Sequence, residues 1–317
     1  MTDFYNIVPT APKGRYDGIE RNYSAEDVKR LRGSVDIKYS LAEMGASSAR
    51  TVHVMIEAMR YAYADRNAAL GDPDFVSNPV TTLLDKSYAK RIRDRIDPDK
   101  AGFSPAVTPL GLAESIETTH YSIVDRDGNA VAVTYTLNGS FGTGIVAAGT
   151  GILLNNEMDD FTAKPGVANL YGLVQGEANA IAPKKTPLSS MSPTIVTRDG
   201  KLFMVIGSPG GARIITITLE AILNVIDHGM NMQEAIDAPR IHHQWQPQKV
   251  VMEPYALSPD TLKLLETMGH NVQLDMNWPI WGQAAGILIG GRSVGEIQEG
   301  IGTRLNGAID SRSRAGA

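Results

Sequence analysis

Thr118, in the run Glu117-Thr118-Thr119-His120-Tyr121-Ser122, stands where a proline- and glycine-spaced stretch gives way to alternating apolar and polar residues. A threonine hydroxyl attacks a carbonyl only with a base beside it, and one such base is the residue's own α-amine, with a pKa of about 7.7–8.0. That amine is free only at a chain start, so Thr118 can act this way only after the Glu117–Thr118 bond is cut. The hydroxyl can make the cut itself, by attacking the Glu117 carbonyl to form an ester that water then hydrolyses. A Thr-Thr pair at a strand start is also what β-branched propensity produces unaided, and on the residues alone both readings stand.

Two further segments could serve the same chemistry. In Gly207-Ser-Pro-Gly-Gly-Ala-Arg213 the paired glycines precede a helix, where backbone N–H groups and the helix dipole can meet a developing oxyanion. A tight turn and helix start is the plainer account. Asp159 and Asp160, after LLNNEM, could hold a substrate ammonium, because two carboxylates are costly to bury without a cation; a solvated loop is the alternative. Ser189-Ser190-Met191-Ser192-Pro193 adds hydroxyls. His120, His228, His242 and His243 lack metal-ligand spacing such as H-E-x-x-H and read as structural or surface residues. Trp278 and Trp281 read as packing residues, and no segment has the Lys-Ser/Thr ending of a phosphate loop.

The elements that must position these residues follow from periodicity. Val52, Met55, Ile56, Met59 and Ala62 keep helical spacing, which predicts a helix over 47–67. GDPDFVSNP reads as a turn-rich connector, 85–96 as a second helix, and 97–114 as an exposed linker. Period-two runs then predict two hairpins, one turning at Asp127-Gly128-Asn129 and one at Asp199-Gly200. Helices are expected at 212–227 and 259–268, with short strands at 250–252, 272–274 and 285–289. This is an α/β mixture of antiparallel hairpins feeding helices, which suggests helices on a stacked pair of sheets.

Composition narrows the partners. The 317 residues are 43% apolar with a formal charge of −5 and no cysteine, which permits a sizeable core and excludes disulfides and any thiolate nucleophile or metal ligand. Lys and Arg are scattered, which argues against nucleic acid. No run approaches the ~18 apolar residues of a membrane span and no export signal is visible, so the chain as written would stay cytoplasmic.

Taken together, TTHYSIVDRDGNAVAVTYTLN, GILLNNEMDDF, PLSSMSPTIV and GSPGGARIITITLEAILNVIDHG, in this order and spacing, resemble the gamma-glutamyltransferase family. The resemblance runs from about Ser47, through MIEAMRYAYADRNAALGDPDFV, to NGAIDSRSRAGA at the end. It implies the four-layer αββα N-terminal-nucleophile hydrolase fold, here truncated on its N-terminal side. It also implies self-cleavage between Glu117 and Thr118, giving a small subunit 118–317 that stays associated with the piece before it. Thr118 is then the nucleophile and Thr136 the threonine that hydrogen-bonds it. Asn138, Glu157 and Asp160 match residues holding the α-amino and α-carboxylate ends of a gamma-glutamyl group. Ser189 and Ser190 match its carboxylate ligands, Gly210 and Gly211 the oxyanion-hole pair, and Tyr171 the lid. The implied reaction passes the gamma-glutamyl group of glutathione or a related donor through a Thr118 acyl-enzyme to an amino acid, a peptide or water, with no metal or organic cofactor. The family is usually periplasmic or extracellular.

The resemblance has gaps. Only 117 residues precede Thr118, fewer than in the family's large subunit, and the front part that normally supplies an arginine for the substrate α-carboxylate has no match. Residues 11–46 instead resemble the amino-terminal arm of isocitrate lyases, without a catalytic loop. This divides the chain into a lyase-like arm (1–46), a helical end of the large subunit with its linker (47–117), and the catalytic part (118–317). The alternatives are an inactive remnant, or an acylase acting on beta-lactam side chains or poly-gamma-glutamate. The Asn138, Asp160 and Ser189-Ser190 set favours the gamma-glutamyl group.

Overall fold

The structure, a computed structural model, describes residues 44–104, 118–275, 281–290 and 305–312. Nearly all of the lyase-like arm, together with Glu117 and Trp278, lies outside the described residues.

Helix α1 spans Ala49–Ala69, and Ser48 caps it by accepting the Thr51 N–H at 3.2 Å. Its buried stripe follows Val52, Ile56, Met59 and Tyr63. The expected stripe through Ala62 is corrected by one position, because Tyr63 is the i+4 neighbour of Met59 and Ala62 is exposed. A short helix α2, Val80–Leu83, precedes α3, Lys86–Arg93, where the Asp85 carboxylate accepts the Ser87 and Tyr88 N–H groups. Beyond Arg93 the backbone tightens into turns in which Arg95 and Ile96 donate to Ile92 and Arg93 carbonyls, so the helix ends three residues before its expected limit.

The linker expected at 97–114 is not free at its start. Ala101 N–H donates to the Met268 carbonyl, Gly102 N–H to Glu57 and Ser104 N–H to Gln248. Residues 105–117 lie outside the described residues.

Strands β1 (Thr118–Val124) and β2 (Ala130–Thr136) form the first hairpin, with Asp125 rather than Asp127 organising the turn by accepting the Asp127 and Asn129 N–H groups. Strands β3 (Thr194–Arg198) and β4 (Lys201–Gly207) form the second. Its two central residues, Asp199 at φ +51° and Gly200 at φ +75°, give the twist that joins neighbouring antiparallel strands directly. The chain continues through α4 (Ile214–Ile226), α5 (Met232–Asp237), β5 (Ile241–His242), β6 (Val250–Met252), α6 (Pro259–Thr267), β7 (Val272–Leu274), β8 (Ala285–Ile289) and β9 (Leu305–Ile309).

Among the described residues there are three sheets: β1-β2, β3-β4-β8-β9 and β5-β6-β7. The first hairpin lies over the four-stranded sheet, and α4 and α5 cover that sheet's other face. Met204, Ile206, Ile217, Ala221, Met232, Ile236 and Leu288 form the core between helices and sheet. A second core, Val52, Ile56, Met59, Ile241, Val250 and Leu265, joins α1 and α6 to the three-stranded sheet.

The layer between the two stacked sheets is partly polar, and one hydrogen-bond chain accounts for it. Ser122 Oγ donates to the Ala285 carbonyl at 3.3 Å, so it must accept from His120 Nε2 at 3.1 Å. His120 Nδ1 then accepts the Thr134 hydroxyl at 2.8 Å. Every member is satisfied with a neutral imidazole, and burial pushes the His120 pKa down to about 4. The outward face of the same hairpin is apolar and open: Tyr121, Ile123, Val131 and Tyr135 are 46%, 51%, 46% and 61% exposed.

Candidate active site

Thr118 is the first residue of β1 and stands opposite Thr136, the last residue of β2. Opposed residues on one face of an antiparallel pair keep their Cβ atoms about 4.5–5.5 Å apart. Past Thr136 the chain turns sharply at Asn138, which holds φ +71° and donates its N–H to Thr136 Oγ1 at 2.8 Å. The Asn138 amide is fixed on both sides, donating to the Asn156 carbonyl at 3.1 Å and accepting the Tyr171 hydroxyl. Tyr171 is buried and stands against Gly211.

A small open cleft lies among Thr118, Thr136, Asn138, Asp160, Tyr171, Ser189, Ser190, Met191, Gly211 and Ile214. Eight of these were expected from the sequence. Gly210 is adjacent in the chain but is not part of the lining, and Glu157 stands behind Asp160 in a short 3-10 turn, Glu157–Asp160. Asp159 points its carboxylate elsewhere, accepting the Leu170 N–H at 2.9 Å, so the two neighbouring acids are divided between anchoring a loop and lining the cleft.

The electrostatics single out Asp160. Burial is the main cause, with Glu157 and Asp159 adding to it, of a carboxyl pKa pushed up to about 8, while Arg66 pulls the other way. Arg66 is itself buried and lowered by that burial. Its Nη2 donates to Ser190 Oγ at 2.9 Å and to the Ser189 carbonyl at 3.1 Å, tying the last turn of α1 to the serine pair.

The glycine pair needs to be glycine. Gly210 has φ +138° and Gly211 φ +56°, and a Cβ on Gly211 would stand 2.5 Å from Tyr171 Cδ1. The turn is pinned from behind by the Tyr63 hydroxyl donating to the Ala212 carbonyl at 2.5 Å. Arg213 Nη1 donates to Asp275 at 2.7 Å and its guanidinium lies 4.5 Å from the Trp281 ring, which is fully buried. Trp281 therefore packs, as expected, and supports the turn.

None of the histidines lines the cleft. His242 and His243 are buried like His120, and burial pushes His242 down to about 3. Among the described residues no cluster of three or more His, Asp or Glu is placed to hold a metal ion. The sequence reading missed Arg66, Met191 and Ile214. Arg66 had a signal, because it continues the Val52, Ile56, Met59, Tyr63 spacing and so puts a charge on a buried stripe.

Stacked sheets, a helix layer and a strand-end threonine that shares a cleft with Gly211 agree with an N-terminal-nucleophile hydrolase fold. The chain belongs to the gamma-glutamyltranspeptidase family, whose model matches residues 34–317. The match reaches back past the expected start near Ser47 and overlaps the end of the lyase-like stretch. The chain is 57% identical to a glutathione hydrolase proenzyme of Pseudomonas sp. (strain A14) over 88% of its own length and 48% of the relative's. Against the glutathione hydrolase proenzyme of Escherichia coli (strain K12) it is 55% identical, over 87% of this chain and 45% of that one. The chain thus spans about half the length of the curated relatives it matches. A crystal structure of a threonine-to-alanine mutant of Helicobacter pylori gamma-glutamyltranspeptidase superposes with a TM-score of 0.56 at 48% identity, covering 62% of this chain and all of that one.

Proposed function

We propose that this chain is a gamma-glutamyltransferase/hydrolase that cleaves gamma-glutamyl amides such as glutathione through a Thr118 acyl-enzyme. The observation that carries the reading is the single cleft in which Thr118, Thr136, Asn138, Asp160, Ser189, Ser190 and Gly211 converge from five separate segments. The names of its relatives, glutathione hydrolase proenzymes, agree with it.

Self-cleavage comes first. Thr118 Oγ attacks the Glu117 carbonyl carbon, the Glu117–Thr118 C–N bond breaks, and water hydrolyses the resulting ester, leaving a Glu117 carboxylate and a free Thr118 α-amine. The two pieces, ending at Glu117 and starting at Thr118, stay associated. In turnover the α-amine takes the Thr118 hydroxyl proton as Oγ attacks the gamma-glutamyl carbonyl. The Gly210 and Gly211 N–H groups receive the oxyanion, helped by the start of α4. Asp160 with Asn138 and Glu157 holds the donor's ammonium, Ser189 and Ser190 its carboxylate, and Tyr171 closes the cleft over it. The amine leaves with the proton, and an amino acid, a peptide or water takes the acyl group. No metal or organic cofactor enters these steps.

The test is release of the chromophore from a gamma-glutamyl anilide. Wild type should turn over and Thr118→Ala should fall to background while keeping its melting transition. Equal rates from the two proteins would sink the assignment of Thr118, and no turnover by folded wild type would favour the inactive-remnant reading.

A further inference from the structure

Among the described residues Arg66 is a buried cation with no salt bridge, although the Asp160 carboxyl lies near enough to feel its charge. It is 8% exposed, and among the described residues no carboxylate lies within ion-pair distance of it. Arg60, Arg213, Arg240 and Arg312, whose guanidinium groups are also buried, each have a carboxylate at 2.5 to 2.8 Å. An unpaired buried guanidinium is expensive to maintain. It is maintained where an anion arrives.

The hydrogen bonds say where. Arg66 Nη1 donates to Asn67 Oδ1 at 3.0 Å, and Nη2 donates to the Ser189 carbonyl and to Ser190 Oγ. A guanidinium can only donate, so Ser190 Oγ accepts from it and must turn its one proton elsewhere. Ser190 lines the cleft, so that proton is available to an acceptor inside it. The wall at Ser189-Ser190 therefore presents a hydroxyl donor backed by a full positive charge, while Asp160 lines the same cleft.

We propose that Arg66 is the positioning residue and counter-charge for a substrate α-carboxylate held at Ser189-Ser190. The donor end of the cleft then recognises an α-amino acid group through Arg66 behind the serine pair and Asp160 in the same lining. The inference rests on the gamma-glutamyl reading only in naming the anion as an α-carboxylate.

The test is calorimetric binding of L-glutamate and of its α-carboxamide, L-isoglutamine, to wild type, Arg66→Met, Arg66→Lys and Ser190→Ala. A charge-assisted contact predicts that wild type prefers glutamate by about tenfold or more. Arg66→Met should bind both within about twofold, while Arg66→Lys and Ser190→Ala, which keep a cation there, should retain part of the preference. Wild type without a preference, or Arg66→Met with the full one, overturns the inference. If Arg66→Met does not fold, Arg66→Lys carries the decision, since its preference must lie measurably below wild type. Anilide turnover on the same samples separates the two claims. An inactive wild type with an Arg66-dependent preference removes acyl transfer and leaves the carboxylate site; turnover without that preference does the reverse.

Discussion

Gly211 and Asp160 carry the sharpest consequences at the scale of single residues. A methyl group on Gly211 meets the Tyr171 ring at 2.5 Å in a backbone conformation that L side chains avoid. Gly211→Ala should therefore lower kcat/KM for a gamma-glutamyl anilide by about 100-fold, the size of losing one oxyanion donor, with its cooperative melting preserved. Loss of activity that merely tracks unfolding would speak against a role for the turn in the chemistry. Asp160, pushed up to about 8, is mostly protonated at neutral pH. An ammonium beside it favours the charged form, so donor binding should expel a proton below pH 8 and KM should fall as pH rises from 6 toward 8. Calorimetry in buffers of different ionisation heat should count close to one proton released at pH 7; an enthalpy independent of buffer contradicts this. Thr118 and Gly211, which line the cleft, were picked out by the family resemblance, because on periodicity alone a β-branched strand start and a tight turn account for them as well. Arg66 showed only as a charge on a buried stripe, because its meaning depends on Ser190, 124 positions along the chain.

Among the elements, those whose ends are set by local chemistry were legible and those set by partners were not. The second hairpin follows from Asp199-Gly200, and β6, β7 and β8 have the expected limits. Strand β9 was hidden, since Leu305–Ile309 is short and interrupted by Gly307, and it becomes a strand by pairing with β8. Helix α5 did carry a local signal, because Asn231 and Glu234 form a reciprocal cap that the sequence spacing permits. Past β9, Asp310 is buried and accepts Arg240 Nη2 at 2.6 Å, Arg312 Nη1 at 2.9 Å and the Ala284 N–H at 3.3 Å. Burial opposes the charge, yet Arg240 and Arg312 hold the carboxyl below its usual range. Asp310→Asn leaves two buried cations short of a partner and should cost about 3–5 kcal/mol, read by urea denaturation at pH 7. Because the folded pKa is depressed, that contribution is present above pH 3.8 and fades as pH falls through the folded value. A loss under about 1 kcal/mol would show the network to be dispensable.

Across the whole molecule, a third small apolar cluster reaches the cleft through Tyr171. Tyr63 and Tyr171 pack together with Leu173 and Ala212, so α1, the Tyr171 segment and the glycine turn share one small cluster. The α/β layering was legible because period-two and helical runs alternate cleanly along the chain. The exposure of Tyr121, Ile123, Val131 and Tyr135 on the outward face of the first hairpin was not. The central claim is that Thr118, placed at a strand end beside its own upstream peptide bond, is a nucleophile. Denaturing mass analysis of the purified, folded chain beside Thr118→Ala tests it most directly. Wild type should resolve the 34.1 kDa chain into two pieces that end at Glu117 and begin at Thr118, with the variant left whole; a folded wild type that stays intact, or a variant cut at the same bond, would contradict it.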